Sequence, residues 1–179
     1  MHQKNHSILR EGLLTGLVGA LIVAVWYLIY DMGRGQLGYT PNVLGQVFVG
    51  RDTTPAVHTI VPQAVADFAL LHFVLFFLFG IGLVFVTHLA ARNPSLRMGV
   101  WLGLVIAFLL FLGQLVMLYS MTAQRFPWVS SVVGSILGIG SMGWFLWRRH
   151  PGLRGTFQEA PLGSEVRPPP HPSAGRRIP

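Results

Sequence analysis

Few side chains in this sequence could take part in acid–base, redox or metal chemistry. The 179 residues include no Cys, six Asp or Glu and seven His. The absence of Cys excludes structural disulfides, thiolate nucleophiles and Cys-ligated zinc or iron–sulfur sites. The acids are scattered and form no carboxylate pair of the kind that general acid–base catalysis uses. The sequence therefore predicts no catalytic residue and no metal site, and we do not expect an enzyme.

A thin group of polar residues lies within or beside otherwise apolar stretches. It comprises Asp67, His72, Gln114, Tyr119 and Ser131, and we interpret it as a candidate polar pocket. An ionisable group inside a membrane is costly, so by default it indicates function. His72 is the main candidate, because an imidazole can move a proton, bind a quinone oxygen or ligate haem iron. The alternative is a neutral imidazole hydrogen-bonded to a Ser, Gln or carbonyl group of a neighbouring helix.

The positions of these residues argue against two specific sites. Asp67 and His72 lie about 140° apart around a helix, so they would not share a face as an acid–imidazole pair. His72 and His88 resemble the two-haem arrangement of cytochrome-b-like bundles in spacing alone, because no second stretch carries matching His residues. Haem would then need a Met ligand or a partner chain. We therefore expect no cofactor and keep haem as an alternative.

Long apolar stretches must position these residues. Apolar residues make up 52% of the chain and charged residues 11%, against about 25% charged residues in a soluble domain. Four intervals without Asp, Glu, Lys or Arg approach or exceed the about 20 residues that a membrane-spanning helix needs. We predict an all-α integral membrane protein, a four-transmembrane-helix bundle with spans at about 9–30, 64–91, 97–121 and 126–148.

The net charge of +7 could indicate nucleic-acid binding, but the placement of the basic residues indicates membrane orientation. Most of the 13 Lys and Arg lie in the N-terminal segment, in the connection between the second and third spans, and in the tail. The other side has only Arg34, Arg51 and Arg125. The positive-inside rule then places both termini in the cytoplasm. We expect a multi-pass protein of the bacterial cytoplasmic membrane with no nucleic-acid partner.

Two segments lie outside the predicted spans. The outer loop, residues 31–63, contains Thr40-Pro41 followed by apolar residues at helical spacing, which predicts a short amphipathic helix on the outer face. This helix could be a lid over an outward cavity, or an anchor of the loop on the bilayer or over the bundle; we prefer the anchor. Residues 151–179 form a Pro- and Arg-rich cytoplasmic tail that lacks the apolar residues of a core, so we expect it to be disordered.

Small residues recur every four positions on several of the spans. They form grooves in which another helix backbone can approach closely, either within the bundle or from a second protein. The packing candidates are Gly12, Gly16, Ala20, Gly99, Gly103, Ala107, Gly134 and Gly138. Besides the lipid bilayer, we therefore expect a homo-oligomer or a membrane protein complex.

The segments Leu9–Ala20 and Leu96–Ala107 also match in part, which indicates two helical hairpins related by an internal repeat.

Three functional hypotheses follow from these features. The preferred one is a structural or accessory subunit that packs through its small-residue helix faces. The second is a small transporter or channel with an outward polar pocket around His72. Against it stands the lack of a central Asp, Glu, Lys or Arg in any span. The third is a haem- or quinone-linked redox membrane protein that uses His72.

Overall fold

The computed structural model describes residues 8–92, 97–122 and 124–149, apart from some side chains between positions 90 and 114. These residues form five helices and no strand, which confirms the predicted all-α class. The helices are α1 (Ile8–Gly33), α2 (Tyr39–Phe48), α3 (Pro62–Arg92), α4 (Arg97–Met121) and α5 (Trp128–Arg149).

Three of these helices, α1, α3 and α5, are long and apolar enough to cross a membrane. Their outer surfaces expose large apolar side chains, among them Leu21, Leu70, Leu78 and Trp144. Such an extensive apolar surface is unfavourable in water and normal in lipid. The fourth long helix, α4, has 25 residues, and the four-span arrangement that includes it stays a prediction.

α1 packs against α3 and α5 through one face. Its buried residues include Gly12, Gly16, Ala20 and Val23, which recur at the three- or four-residue interval of one helix face. One close approach is to Gly80 of α3. A Cβ at Gly80 would overlap the Gly12 carbonyl oxygen and lie 2.5 Å from the Gly16 nitrogen. Glycine is needed at this crossing because the two backbones touch.

Small residues of α5 also face the inside of the chain. A Cβ at Gly134 would lie 3.2 Å from Cδ1 of Trp26, and one at Gly138 would lie 2.9 Å from Cγ2 of Val23. Trp26 Nε1 also donates a hydrogen bond to the Ser130 carbonyl oxygen at 3.0 Å, which ties α1 to α5. The internal repeat stays a prediction. Its α4 half contains Gly99, Gly103 and Ala107, and the surroundings of these three residues are not described.

α2 lies over the end of the bundle at which α1 ends and α3 begins, which we call the outer end after its predicted orientation. A Cβ at Gly45 would overlap the Ala64 carbonyl oxygen, so α2 lies directly on α3. Of the placements predicted for this helix, the structure shows the one over the bundle, and we call α2 together with residues 49–61 the outer cap. The buried apolar side chains of α2 form one cluster with α3, α4 and the α4–α5 connection: Val43, Leu44, Val47, Phe68, Leu115 and Phe126.

The start of α2 differs from the predicted Thr40-Pro41 start. The helix begins at Tyr39, and the N-cap residue is Gly38 with a φ of 81°, a left-handed conformation that glycine adopts at little cost. Thr40 does not cap the helix itself; its hydroxyl donates to the Asp31 carboxylate at 2.6 Å. Pro41 lies in the first turn, where the missing N–H leaves no helical hydrogen bond unmade. The hydrogen-bond acceptor for the first turn of α2 is therefore a side chain of α1.

Candidate functional site

His72 lies in the interface between α1 and α3. It is 7% exposed, and its Nε2 lies 3.1 Å from the carbonyl oxygen of Ala20. A carbonyl oxygen can only accept, so in the neutral imidazole Nε2 carries the proton and donates it. Ala20 lies midway along α1 (Ile8–Gly33). His72 therefore lies level with the middle of α1.

Aromatic side chains surround the imidazole ring. Its centroid lies 4.6 Å from that of Phe76, 5.6 Å from Phe68, 5.8 Å from Phe73 and 6.3 Å from Tyr27. The only hydrogen bond that His72 makes with the described residues is the one from Nε2. The second ring nitrogen, Nδ1, is therefore without a donor among these residues.

A lateral groove of about 200 Å³ lies beside His72, between α1 and α3. We call it the α1–α3 groove. The rim residues Ala24, Leu28 and Ala69 are exposed, so the groove opens sideways, on the surface that a membrane-embedded helix pair turns to lipid. Its lining consists of Ala24, Tyr27, Leu28, Asp31, Gly38, Pro41, Val65, Phe68, Ala69, His72 and Phe73.

Asp31 lines the outer end of this groove and was not among the predicted site residues. It is 0% exposed. Its Oδ2 accepts from the Thr40 backbone N–H at 2.8 Å, and its Oδ1 accepts from the Thr40 hydroxyl at 2.6 Å. From the sequence, Asp31 is a residue at the end of an apolar stretch. The signal that could have identified it is the helix start at Thr40-Pro41, since the first N–H groups of a helix need an acceptor.

Two predicted pocket residues lie apart from His72. Asp67 accepts a hydrogen bond from Gln63 Nε2 at 2.8 Å on the exposed side of α3. Tyr119 packs against the buried cluster of the outer cap, with its ring 6.4 Å from that of Trp128. Neither side chain is among those that line the α1–α3 groove.

The remaining two predicted residues are placed differently. Ser131 is buried, and its hydroxyl donates to the Pro127 carbonyl oxygen at 3.0 Å. It is not among the residues that line the α1–α3 groove. The side chain of Gln114 lies outside the described residues.

A second polar pair lies at the other end of α1 and α3. Glu11 is buried, and its Oε2 lies 3.7 Å from Nε2 of His88, a distance typical of an ion pair when the imidazole is protonated. The backbone carbonyl of Glu11 also accepts from the Thr15 hydroxyl at 2.8 Å. In the sequence, His88 lies one helical turn before Arg92. The structure adds a specific carboxylate beside it.

Two amide side chains hold the outer cap together. Asn42 Oδ1 accepts from the Val61 N–H at 2.8 Å, and its Nδ2 donates to the carbonyl oxygens of Ala56 and Thr59 at 3.0 and 3.1 Å. Gln46 Oε1 accepts from the Ala56 N–H at 2.8 Å. A hydrogen bond contributes about 0.5–1.5 kcal/mol net. The loop after α2 is thus fixed by side chains of α2.

Further contacts join the outer cap to the α4–α5 connection. The Tyr39 hydroxyl donates to the Arg125 carbonyl oxygen at 3.0 Å, and Arg125 Nη1 donates to the Pro55 carbonyl oxygen at 3.3 Å. Burial raises the pKa of Tyr39, so the phenol remains a donor at neutral pH. The hydrogen bond to Tyr30 raises the pKa of Arg34, whose guanidinium lies 5.8 Å from the Tyr39 ring. These contacts cover the outer end of the bundle.

The fold and the site define a class of protein: a helical membrane protein with a buried imidazole, a lateral groove and a covered outer end. No protein-family model, curated protein or solved structure matches this chain. Any more specific function must therefore be inferred from the geometry of the chain itself.

Proposed function

We propose that this chain is a structural or accessory subunit of the bacterial cytoplasmic membrane. It has four spans and cytoplasmic termini in this proposal, and it packs against a second membrane helix through the outward face of α5. The supporting observation is a division of the described glycines into two sets: those that pack against other helices, and those with no neighbour in the part of the chain that the structure describes.

Glycines of the inner faces are used for packing within the chain. A Cβ at Gly16, Gly80 or Gly138 would come within 3 Å of a neighbouring residue. In contrast, a Cβ built on Gly140 or Gly143 of α5 would meet no heavy atom of the described residues within 4 Å, apart from its chain neighbours and the backbone of α5 itself. An open glycine in a helix costs about 1 kcal/mol relative to Ala. In lipid, that cost is offset when a partner helix uses the space for close packing.

The two open glycines share a face of α5 with two large apolar residues. At 100° per residue, Ile136, Gly140, Gly143 and Trp147 lie within a sector of about 60°, opposite Gly138. Ile136 is 54% and Trp147 45% exposed. We call this surface the α5 notch, since small residues form its centre and large ones its ends. A second helix can approach closely at such a surface, and this notch carries the proposal.

The other two hypotheses have less support. A substrate that moved along the bundle axis would have to displace α2, whose Val43 and Leu44 are buried among the outer ends of α3 and α4. Haem ligation through Nε2 of His72 would require this atom to leave the Ala20 carbonyl oxygen. Transport along the axis and haem ligation through Nε2 would therefore require the described packing to open.

The test is the composition of the purified complex. In mild detergent, native mass spectrometry of the full chain should give either a multiple of the 19.7 kDa subunit mass or a stoichiometric second polypeptide. The first result identifies self-association and the second a partner subunit. A monomer without a second polypeptide contradicts the proposal.

A pair of variants tests the role of the α5 notch. Gly143→Leu fills the notch, so we expect it to abolish association and to leave the thermal unfolding temperature nearly unchanged. Gly82→Leu is the matched control, because Gly82 is also an open glycine but lies on α3. Loss of association in both variants, or in neither, would contradict an interface at the notch.

A further inference from the structure

The imidazole of His72 has one ring nitrogen without a hydrogen-bond partner among the described residues, and the residue lines the α1–α3 groove. Nε2 donates to the Ala20 carbonyl oxygen at 3.1 Å, so Nδ1 of the neutral ring has a lone pair and no proton. Nδ1 accepts no hydrogen bond from the described residues, and His72 lines the groove. An acceptor in apolar surroundings without a donor is unfavourable, and a ligand that brings a donor would satisfy it.

The donors beside Asp31 are already engaged. The backbone N–H and the hydroxyl of Thr40 both donate to the Asp31 carboxylate, and Ser131 gives its proton to the Pro127 carbonyl oxygen. The unpartnered nitrogen of His72 is an acceptor, so its ligand has to supply the donor.

The opposite end of the groove is also acceptor-rich. Asp31 accepts two hydrogen bonds from Thr40, and an ionised carboxylate has further acceptor sites but no proton to donate. A quinone, which has only carbonyl oxygens, cannot donate a hydrogen bond to Nδ1 of His72. A quinol or another phenol, which has a hydroxyl donor, can.

The size and lining of the groove indicate an aromatic head group. Its volume is about 200 Å³, and an apolar cavity of about 150 Å³ accommodates benzene. Phe68, Phe73 and Tyr27 lie around the imidazole and can contact a planar ring by offset or edge-to-face packing. The rim residues Ala24 and Ala69 are exposed, so an apolar tail on the ring could remain in the lipid.

We propose that the α1–α3 groove binds a membrane-soluble phenol or quinol, whose hydroxyl donates a hydrogen bond to Nδ1 of His72 while its apolar tail lies in the bilayer. The proposal concerns binding alone and includes no electron transfer. It does not depend on the α5 notch, which is a different surface.

The head group of the probe provides the first test. The full chain in lipid nanodiscs is titrated anaerobically with a decyl-substituted 1,4-benzoquinol, with the matching 1,4-benzoquinone, and with decylbenzene. The three share the ring and tail but differ in hydrogen bonding. We expect the benzoquinol to bind about tenfold more tightly than the other two, the effect of one additional hydrogen bond. Equal affinity for all three would overturn the proposal.

His72→Gln provides the second test. The Gln amide can still donate to the Ala20 carbonyl oxygen, but it has no acceptor at the position of Nδ1. We expect an unfolding temperature close to that of the native chain and a benzoquinol affinity about tenfold lower, close to that of the quinone. Unchanged benzoquinol affinity in the folded variant would overturn the role of His72.

A matched pair on α3 tests the location independently of His72. Ala69 lines the groove, and Ala69→Leu should fill it and abolish binding. Ala66 is also exposed but does not line the groove, and Ala66→Leu should bind the benzoquinol as the native chain does. An equal effect of the two substitutions, whether loss or retention of binding, would overturn the assignment to the α1–α3 groove.

Discussion

Asp31 at the end of α1 holds the first turn of α2 through two hydrogen bonds to Thr40, at 2.8 Å to the backbone nitrogen and 2.6 Å to the hydroxyl. A carboxylate at this position also interacts favourably with the positive end of the helix dipole. The two residues are nine positions apart, and the pair connects the first long helix to the outer cap. The same carboxylate lines the α1–α3 groove.

Removing this carboxylate should destabilise the protein strongly. Asp31→Ala leaves the N–H and the hydroxyl of Thr40 buried without an acceptor, so we expect the free energy of unfolding to fall by about 2–4 kcal/mol. Unfolding of the purified protein by denaturant in detergent micelles measures the loss. Asp67→Ala is the control and should cost less than about 0.5 kcal/mol, because the hydrogen bond of Asp67 to Gln63 is exposed. Equal losses in the two variants would disprove a special role for Asp31.

Two glycines of α3 should respond oppositely to the same substitution. Gly80→Ala puts a Cβ against the backbone of α1 at Gly12 and Gly16, and the strain should cost about 1–3 kcal/mol or more. Gly82→Ala adds a methyl group in open space and should stabilise the helix by up to about 1 kcal/mol. Thermal unfolding of both variants gives the comparison. A Gly80→Ala protein as stable as Gly82→Ala would contradict the close crossing of α1 and α3.

Gly45 should determine how tightly the outer cap is held. A Cβ there would overlap the Ala64 carbonyl oxygen, so in Gly45→Ala the helix α2 must move away from α3. Because the chain has no Cys, a single Val43→Cys substitution reports on access to the buried cluster. We expect Gly45→Ala to accelerate maleimide labelling of Val43→Cys about tenfold. This factor corresponds to a decrease of about 1.4 kcal/mol in the free energy of local opening.

The control for this labelling is Phe48→Cys, at a position of α2 that is already exposed. It should react rapidly with and without Gly45→Ala. If the Val43→Cys rate is the same in both backgrounds, α2 is not held by the Gly45 contact.

The four-span topology can be tested with two further single-Cys variants. Thr53 lies in the outer cap and Arg149 at the end of α5, and both are exposed. With four spans, a membrane-impermeant maleimide added to intact cells should label Thr53→Cys, and should label Arg149→Cys only after permeabilisation. Labelling of both in intact cells would mean that α4 does not cross the membrane.

Tyr39 should make a contribution to stability that depends on pH. Burial raises its pKa in the folded protein above the unfolded value of about 10. Its contribution is therefore complete below about pH 10 and is lost as the pH rises through the folded pKa. The difference in unfolding temperature between the native chain and Tyr39→Phe should be constant from pH 7 to 9 and should shrink above pH 10. A difference that grows with pH would contradict the raised pKa.

The sequence predicts the long helices well because a backbone in lipid must satisfy its own hydrogen bonds, and a helix does this within one segment. The predicted intervals 9–30 and 64–91 lie within α1 and α3. His72 was recognisable as a candidate because ionisable residues are rare in such intervals. Its partner could not be predicted, since the Ala20 carbonyl is a backbone group that every residue has.

The parts that the sequence analysis missed depend on contacts between segments. Asp31 and Glu11 are ordinary residues near the ends of an apolar stretch until Thr40 and His88 are brought beside them. The outer cap likewise depends on Asn42, an uninformative residue in the sequence, whose amide holds three backbone groups of the following loop. Side-chain contacts of this kind follow from tertiary packing, not from local spacing.

The buried cluster of the outer cap also sets an order for biosynthesis. Val43 and Leu44 pack with Leu115 and Phe126, which leave the ribosome roughly 70 residues later, or several seconds at about 5–20 residues per second. During that interval α2 has been made, but the side chains of α4 and of the α4–α5 connection that will cover it have not. The buried cluster can therefore close only after α4 and the α4–α5 connection have been synthesised, and until then the apolar side chains of α2 lack these partners.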